Sequence, residues 1–344
     1  MVQGNTYHQP KLVIDGNQVY ESISGTITFR GSNNLNSMNV TIPNPYIQNK
    51  SLLLKKVKLF LNNGGEDSVP IFSGYINSVN VNQDSVSLTC QDPRLFLTGK
   101  NGEKVVIDDI NNYDGYSLAG FLYSFIENNL NTSTNKVIGI DMLNDTNPIV
   151  SCTGIREKGT VYDIAKNIIS KAIDTDTNFE TPLTYQFDIV EDYDVAQLII
   201  RKDKLLTDKP STTFSYNDGL ISYNYSRRTP PNTSNYEGGT FTYTNTPSGK
   251  SSIDISTSNK DLSRADIRNI AMQQVLLEHQ EKDELKVTVN KAFHIGIGSI
   301  IRLSVDDSDV AGNHRVVGKN VIFGKNCQCT LTLNKKSVKV SDFV

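Results

Sequence analysis

The residues best suited to chemistry are a few glycines, carboxylates, histidines and thiols, and each set fails a test of spacing. Gly296-Ile297-Gly298 could open a phosphate loop, in which glycines let backbone N–H groups approach a pyrophosphate. The pattern needs a third glycine where Ile301 stands, and the flanks have strand character on both sides. Asp307-Ser308-Asp309-Val310-Ala311-Gly312 begins as a calcium loop does, with oxygen ligands at alternate positions. It fails at Ala311, the fifth position, and at Gly318, where a bidentate Glu would close the site. Asp188, Glu191, Asp192 and Asp194 could supply the acid and base of a glycosidase, but they equally suit an acidic turn between two strands. His8, His279, His294 and His314 show no metal-ligand spacing, and no serine lies in a nucleophile elbow. Cys327 and Cys329 lie two apart in an alternating run, on one face of a strand, which disfavours a mutual disulfide. With Cys90 and Cys152 they make four isolated thiols, as expected in a reducing compartment. The sequence thus assigns no catalytic, cofactor-binding or metal-ligating residue, and the expectation is a protein that is not an enzyme.

The elements that would position any site are mostly short strands. Lys11-Leu12-Val13-Ile14 and Gln18-Val19-Tyr20 flank Asp15-Gly16-Asn17, a strong hairpin signal. Gly25-Thr26-Ile27-Thr28-Phe29 and Met38-Asn39-Val40-Thr41-Ile42 alternate apolar and polar residues, as strands with one buried face do. Further strands are expected at 56–61, 71–81 and 86–90. Residues 1–99 therefore read as a first small antiparallel β-barrel. Residues 100–214 change character: 117–130 and 160–173 carry apolar residues at helical spacing, and strands follow at 183–190 and 197–201. Thr160 is a good N-cap, and Asp163 sits in the first turn. This stretch reads as an α+β insertion. Residues 215–344 read as a second β-barrel, interrupted by a polar loop at 229–259 and preceded by a helix at 262–285 that Ser263 can cap. Its closing hairpin, Asn320 onward to Leu333, echoes the one running from Ser78 to Cys90, with an off-by-one register after the turn. The fold class is mainly β with an α+β insertion: two small antiparallel barrels separated by an α+β domain.

The totals fit that outline. A chain of 344 residues suits two or three domains, and 37% hydrophobic with 21% charged residues is an ordinary soluble composition. A net charge of −3 gives no global attraction to nucleic acid or anionic membrane. The first residues lack the charged and apolar regions of a signal peptide, and no apolar run is long enough to span a bilayer.

Taken in order, these pieces resemble the baseplate hub proteins of bacteriophage tails, the late control D-type or tail hub family, whose fold also forms the base of the type VI secretion spike. Three regions carry the likeness. Ile71-Phe72-Ser73-Gly74-Tyr75-Ile76 through Val86-Ser87-Leu88-Thr89-Cys90-Gln91-Asp92-Pro93-Arg94 resembles the closing hairpin of the family's first barrel. Leu220-Ile221-Ser222-Tyr223-Asn224-Tyr225-Ser226-Arg227 is similar to the strand that re-enters the hub core. The helix from Ser263, then Leu285-Lys286-Val287-Thr288-Val289, Ile297-Gly298-Ser299-Ile300-Ile301 and Gly312-Asn313-His314-Arg315-Val316, resembles the family's final run. Phe293-His294-Ile295 departs from it, replacing a proline-containing approach to the last barrel.

The resemblance implies a structural protein of the virion, in the tail baseplate, assembled in the host cytoplasm. It implies a homotrimer whose paired barrels form a pseudo-sixfold ring, joining a hexameric tail tube to a trimeric central spike. Implied partners are the tube or tube-initiator protein, the spike, other inner-baseplate proteins and the tape-measure protein. DNA would be met only by passage through the channel, and no stable membrane insertion is implied. Two other classes make different demands. A tail-associated carbohydrate- or receptor-binding protein would display aromatic platforms or fibrous repeats, and a peptidoglycan hydrolase would need a catalytic set; neither is evident.

Overall fold

A computed structural model describes residues 9–30, 35–43, 52–62, 70–98, 105–106, 120, 124–125, 128–129, 138–140, 158–171, 173–174, 183–192, 195–202, 208–227, 233–236, 239–242, 252–255, 283–308 and 310–334. The described strands start with β1 (Gln9–Ile14), β2 (Gln18–Tyr20), β3 (Ser24–Arg30), β4 (Ser37–Pro43), β5 (Lys56–Asn62), β6 (Phe72–Val81) and β7 (Ser85–Gln91). A 3-10 turn, Pro93–Thr98, leads to β8 (Val105–Val106), β9 (Ile138–Ile140), β10 (Lys158–Gly159), the helix Val161–Lys171, β11 (Ile173–Asp174), β12 (Leu183–Asp192) and β13 (Val195–Lys202). Next come β14 (Thr212–Phe214), β15 (Leu220–Arg227), β16 (Thr233–Tyr236), β17 (Gly239–Thr242) and β18 (Ser252–Ile255). The last strands are β19 (Asp283–Val289), β20 (Ile300–Leu303), β21 (Gly312–Phe323) and β22 (Gln328–Asn334).

The early and late strands share one 13-stranded sheet in the order β15-β19-β22-β21-β3-β4-β7-β6-β5-β1-β2, with β20 on β21 and β14 on β20. Alternation dictates its core: in β4, Met38, Val40 and Ile42 point inward, and in β7, Val86, Leu88 and Cys90 do the same. From the late strands Leu285, Val287, Val289, Cys329, Leu331 and Leu333 join the same buried cluster. The expected hairpin at Asp15-Gly16-Asn17 is present, with positive φ at Asp15 and Gly16 and the Asn17 N–H donating to the Ile14 carbonyl.

The echo between the two hairpins extends across five strands. In the early unit β5 pairs with the first residues of β6, and β6 then pairs with β7 after a bulge between Ile76 and Ser78. In the late unit β20 pairs with the first residues of β21, and β21 pairs with β22 after a bulge between Val316 and Gly318. The pairs correspond one to one: Tyr75↔Gln91 with Arg315↔Asn334, Val79↔Leu88 with Lys319↔Leu331, and Val81↔Val86 with Val321↔Cys329. Outward, Met38↔Cys90 and Val40↔Leu88 match Leu285↔Leu333 and Val287↔Leu331, so β4 corresponds to β19. Ile27↔Met38 matches Tyr225↔Leu285, so β3 corresponds to β15. Even the approach to the shared bulge repeats. Leu54 N–H donates to the Ile76 carbonyl as Gly298 N–H does to Val316, and both donors hold positive φ, 63° and 80°.

This register corrects the sequence-level alignment. Ser78 matches Gly318 rather than Asn320, and the off-by-one vanishes because the turns differ in length. Residues 82–85 join Val81 to Val86, whereas 322–328 join Val321 to Cys329, three residues more. The units also differ where β1 and β14 lie: β1 runs antiparallel to β5, but β14 runs parallel to β20. The two units are hydrogen-bonded to each other, because β21 pairs with β3 from Gly318↔Arg30 to Phe323↔Gly25.

Between the units lie smaller sheets, β11-β12-β13-β9 and β8-β10, and the helix Val161–Lys171. That helix starts as expected, with Thr160 Oγ1 accepting from Asp163 N–H at 3.1 Å. Of the helix expected over 117–130, Gly120, Ser124, Phe125, Asn128 and Asn129 are described and all are helical. The helix expected over 262–285 lies outside the described residues except at 283–285, which open β19 because their backbone is claimed by β15. Within 229–259, where a polar loop is expected, β16, β17 and β18 form a three-stranded sheet. β17 carries an alternating run, β18 (Ser252-Ile253-Asp254-Ile255) alternates over only four residues, and β16 (Thr233-Ser234-Asn235-Tyr236) shows no apolar period.

Gly25, in β3 beside the seam between units, leaves no room for a side chain. A methyl group there would overlap the Asn39 carbonyl oxygen and lie 2.7 Å from Cζ of Phe323. Gly25→Ala is expected to lower stability by about 1–3 kcal/mol through overpacking, read as a reduced urea unfolding midpoint.

Candidate functional site

The residues singled out for chemistry are dispersed by the fold. Gly298 closes a turn whose N–H is spent on the Val316 carbonyl, which sets β20 against β21 and leaves no phosphate cradle. The carbonyl of Asp307 accepts the N–H groups of Val310 and Ala311, so the acidic stretch is a wound turn, and the Asp307 carboxylate accepts from the Tyr223 hydroxyl at 3.2 Å. Asp309 and Asp194 lie outside the described residues. Asp188, Glu191 and Asp192 lie along β12, in backbone register with Ile199, Ala196 and Val195 of β13.

His314 is fully buried, and its Nε2–H donates to the Val310 carbonyl at 2.7 Å, a structural tie. His294 lies elsewhere, and burial together with the Lys319 charge holds its pKa below the usual histidine value. His8 and His279 are outside the described residues, as is Cys152. Burial pushes the Cys90 and Cys329 thiols up to about 12, and Cys327 is raised as well, so these are packing residues and poor nucleophiles. Among the described residues no group of three His, Cys, Asp or Glu could hold a metal ion.

What the fold does assemble is a set of joints. The first is buried: Arg94 Nη2 donates to Asp92 Oδ2 at 2.7 Å, with both side chains 2% exposed. Arg94 Nε and its backbone N–H donate to Asp92 Oδ1, and the Asn36 N–H reaches Asp92 Oδ2 at 2.7 Å. One carboxylate therefore ties the end of β7 to the chain entering β4. The 3-10 turn carrying Arg94 packs on the helix Val161–Lys171. There burial pushes the Tyr162 hydroxyl up to about 12, partly offset by Arg94 and reinforced by Asp92 and Asp163. This joint couples the early β unit to the inserted segment. The sequence displays Asp92-Pro93-Arg94 but gives no sign that both charges are buried.

The second joint is the β21–β3 seam. Lys319 is 5% exposed, donates to the carbonyls of Phe293 and Ile295 at 3.0 and 2.9 Å, and places Nζ 3.9 Å from the Phe29 ring centroid. Beside it Thr28 Oγ1 donates to Asn320 Oδ1 at 3.3 Å. Lysine in an otherwise apolar strand face was the available clue, and it reads as a solvated charge until the two carbonyls are seen. The arrangement holds the two strands together.

No family model matches the sequence, and no curated protein does. Solved structures do. A tail protein from Neisseria meningitidis superposes with TM-score 0.70 at 12% identity, over 98% of this chain and 99% of that one. The chain has the phage tail protein fold. A 43 kDa tail protein of prophage MuSo2 from Shewanella oneidensis matches with TM-score 0.65 at 9% identity, over 95% of this chain and 97% of that one. An Escherichia coli type VI secretion component, described as structurally similar to the T4 tail proteins gp27 and gp5, matches with TM-score 0.60 at 11% identity, over 95% and 77%. The mainly antiparallel architecture read from the sequence agrees with this tail protein fold.

The buried joint gives a direct expectation for this tail-fold chain. Asp92→Ala leaves the Arg94 guanidinium buried without its carboxylate and is expected to cost about 3–5 kcal/mol. Pairing it with Arg94→Met should recover part of that loss in urea denaturation.

Proposed function

We propose that the chain is a structural hub of a phage tail or related injection particle, a homotrimer that joins the hexameric tail tube to the trimeric central spike. The observation that carries this reading is the register-matched duplication. One chain presents two like β units, so three chains present six, and a body built that way matches a sixfold partner at one end and a threefold partner at the other. In this reading 1–99 and 215–344 each roll into a small barrel of the ring, and 100–214 is the insertion between them. The fold shared with tail proteins supports the same assignment, as does a set of joints that hold strands without any reacting group.

The direct partners are then the tube or tube-initiator protein, the spike and other inner-baseplate proteins. The tape-measure protein and DNA pass through the channel that the ring encloses. The protein is non-enzymatic and resides in the virion baseplate, and among the described residues no helix is long and apolar enough to cross a membrane.

Native mass spectrometry at micromolar concentration is expected to give a trimer, and a persistent monomer would overturn the reading. Imaging of the assembled particle should place the chain between tube and spike.

A further inference from the structure

The seam between the two units points to a second seam between chains. Within one chain β3 is covered by β21, with Lys319 opposite Phe29, Asn320 opposite Thr28 and Val321 opposite Ile27. The counterpart of β3 is β15, and the counterpart of β21 is β6. β15 ends the strand order of the main sheet. Along β6 the β5 register stops at Tyr75, and among the described residues no strand flanks Ser78–Val81 on that side, while β7 holds the other. Among the described residues, one chain therefore carries two uncovered edges that correspond, strand for strand, to the two edges already paired inside it.

We infer that β15 of one copy pairs antiparallel with the second half of β6 of another copy, in the register Val79↔Arg227, Asn80↔Ser226 and Val81↔Tyr225. Two observations support this particular occupant. Val81 is 61% exposed, whereas its counterpart Val321, covered by β3, is 0% exposed. An apolar side chain is thus left in solvent at the one place where the equivalent unit has a strand over it. The cross-strand chemistry is also kept: Asn320 meets the Thr28 hydroxyl, and the inferred pair sets Asn80 against the Ser226 hydroxyl. Other short-strand partners could satisfy the backbone edges, but only a second copy supplies both edges and both matching side chains.

The contact is head-to-tail, so each copy gives one edge and receives one, and repetition closes into a ring when the rotation allows. This deepens the proposed hub and rests on it for the number of copies in the ring.

The test is a double variant, Asn80→Cys with Ser226→Cys, oxidised under mild conditions alongside the parent chain and each single variant. The expected result is covalent oligomers ending at a trimer for the double variant, with the parent and single variants remaining uncrosslinked. A second arm uses Val81→Asp, which places a charge at an exposed position and should leave the unfolding midpoint unchanged while raising the concentration needed for assembly at least tenfold. A native trimer that neither crosslinks through these positions nor responds to Val81→Asp would overturn the strand pairing while leaving the hub reading intact. Crosslinked ladders extending beyond a trimer would support the strand pairing and overturn the threefold copy number. A monomer with no crosslinking would overturn both.

Discussion

Everything in the main sheet depends on β21 keeping its register with three neighbours at once. Its first residues pair with β20, its last six pair with β3, and β22 runs along the opposite edge. The bulge between Val316 and Gly318 makes this possible, because an extra residue turns the strand before it meets β3. Slipping that register by one would send Val321 and Phe323 to solvent and bring Ile322 inside. The penalty would fall on both units together, which makes them one folded body joined through a shared strand.

The duplicated units preserve geometry more strictly than sequence. Met38 stands where Leu285 does, Cys90 where Leu333 does, and Cys329 where Val86 does; each pair conserves burial and gives up only shape. Leu54 even holds the positive φ that Gly298 adopts without strain, at an energetic cost that a glycine would avoid. A leucine retained there indicates that the hydrogen bond to Ile76 and the path into β5 dominate over local backbone preference. Where the units part company is at their entrances. β1 opens a local hairpin with β2 and lies antiparallel to β5, whereas β14, which follows the inserted segment, runs parallel to β20.

Much of this was legible in the residues, and the parts that were not have physical causes. Strands with one buried face declare themselves by alternation, so β3, β4, β7 and β22 could be placed from sequence. The hairpin at Asp15-Gly16-Asn17 was equally plain. The duplication showed only as a faint echo, because a three-residue difference in one turn shifts any direct comparison out of phase. Strand pairing between β21 and β3 links residues nearly a chain length apart, and no local pattern encodes it. The Asp92–Arg94 pair was visible as letters, but burial of two charges is a property of what packs around them. The polar region 229–259 hid strands because β16 carries no apolar period and β18, though alternating, is only four residues long. For the candidate site, the departures of each motif from its required spacing were readable in the letters, whereas the joints that hold the strands together are tertiary.

The difference in turn length has a further meaning. Along their strands the two units are nearly interchangeable, but at the hairpin tips one is short and the other is extended by three residues. A ring of such chains would have alternating low and high rims. A protein docking against the strand walls would find six equivalent seats, while one docking against the tips would find three. The same polypeptide would thus carry a coarse symmetry in its body and a finer one in its crests, with a few loop residues marking which is which.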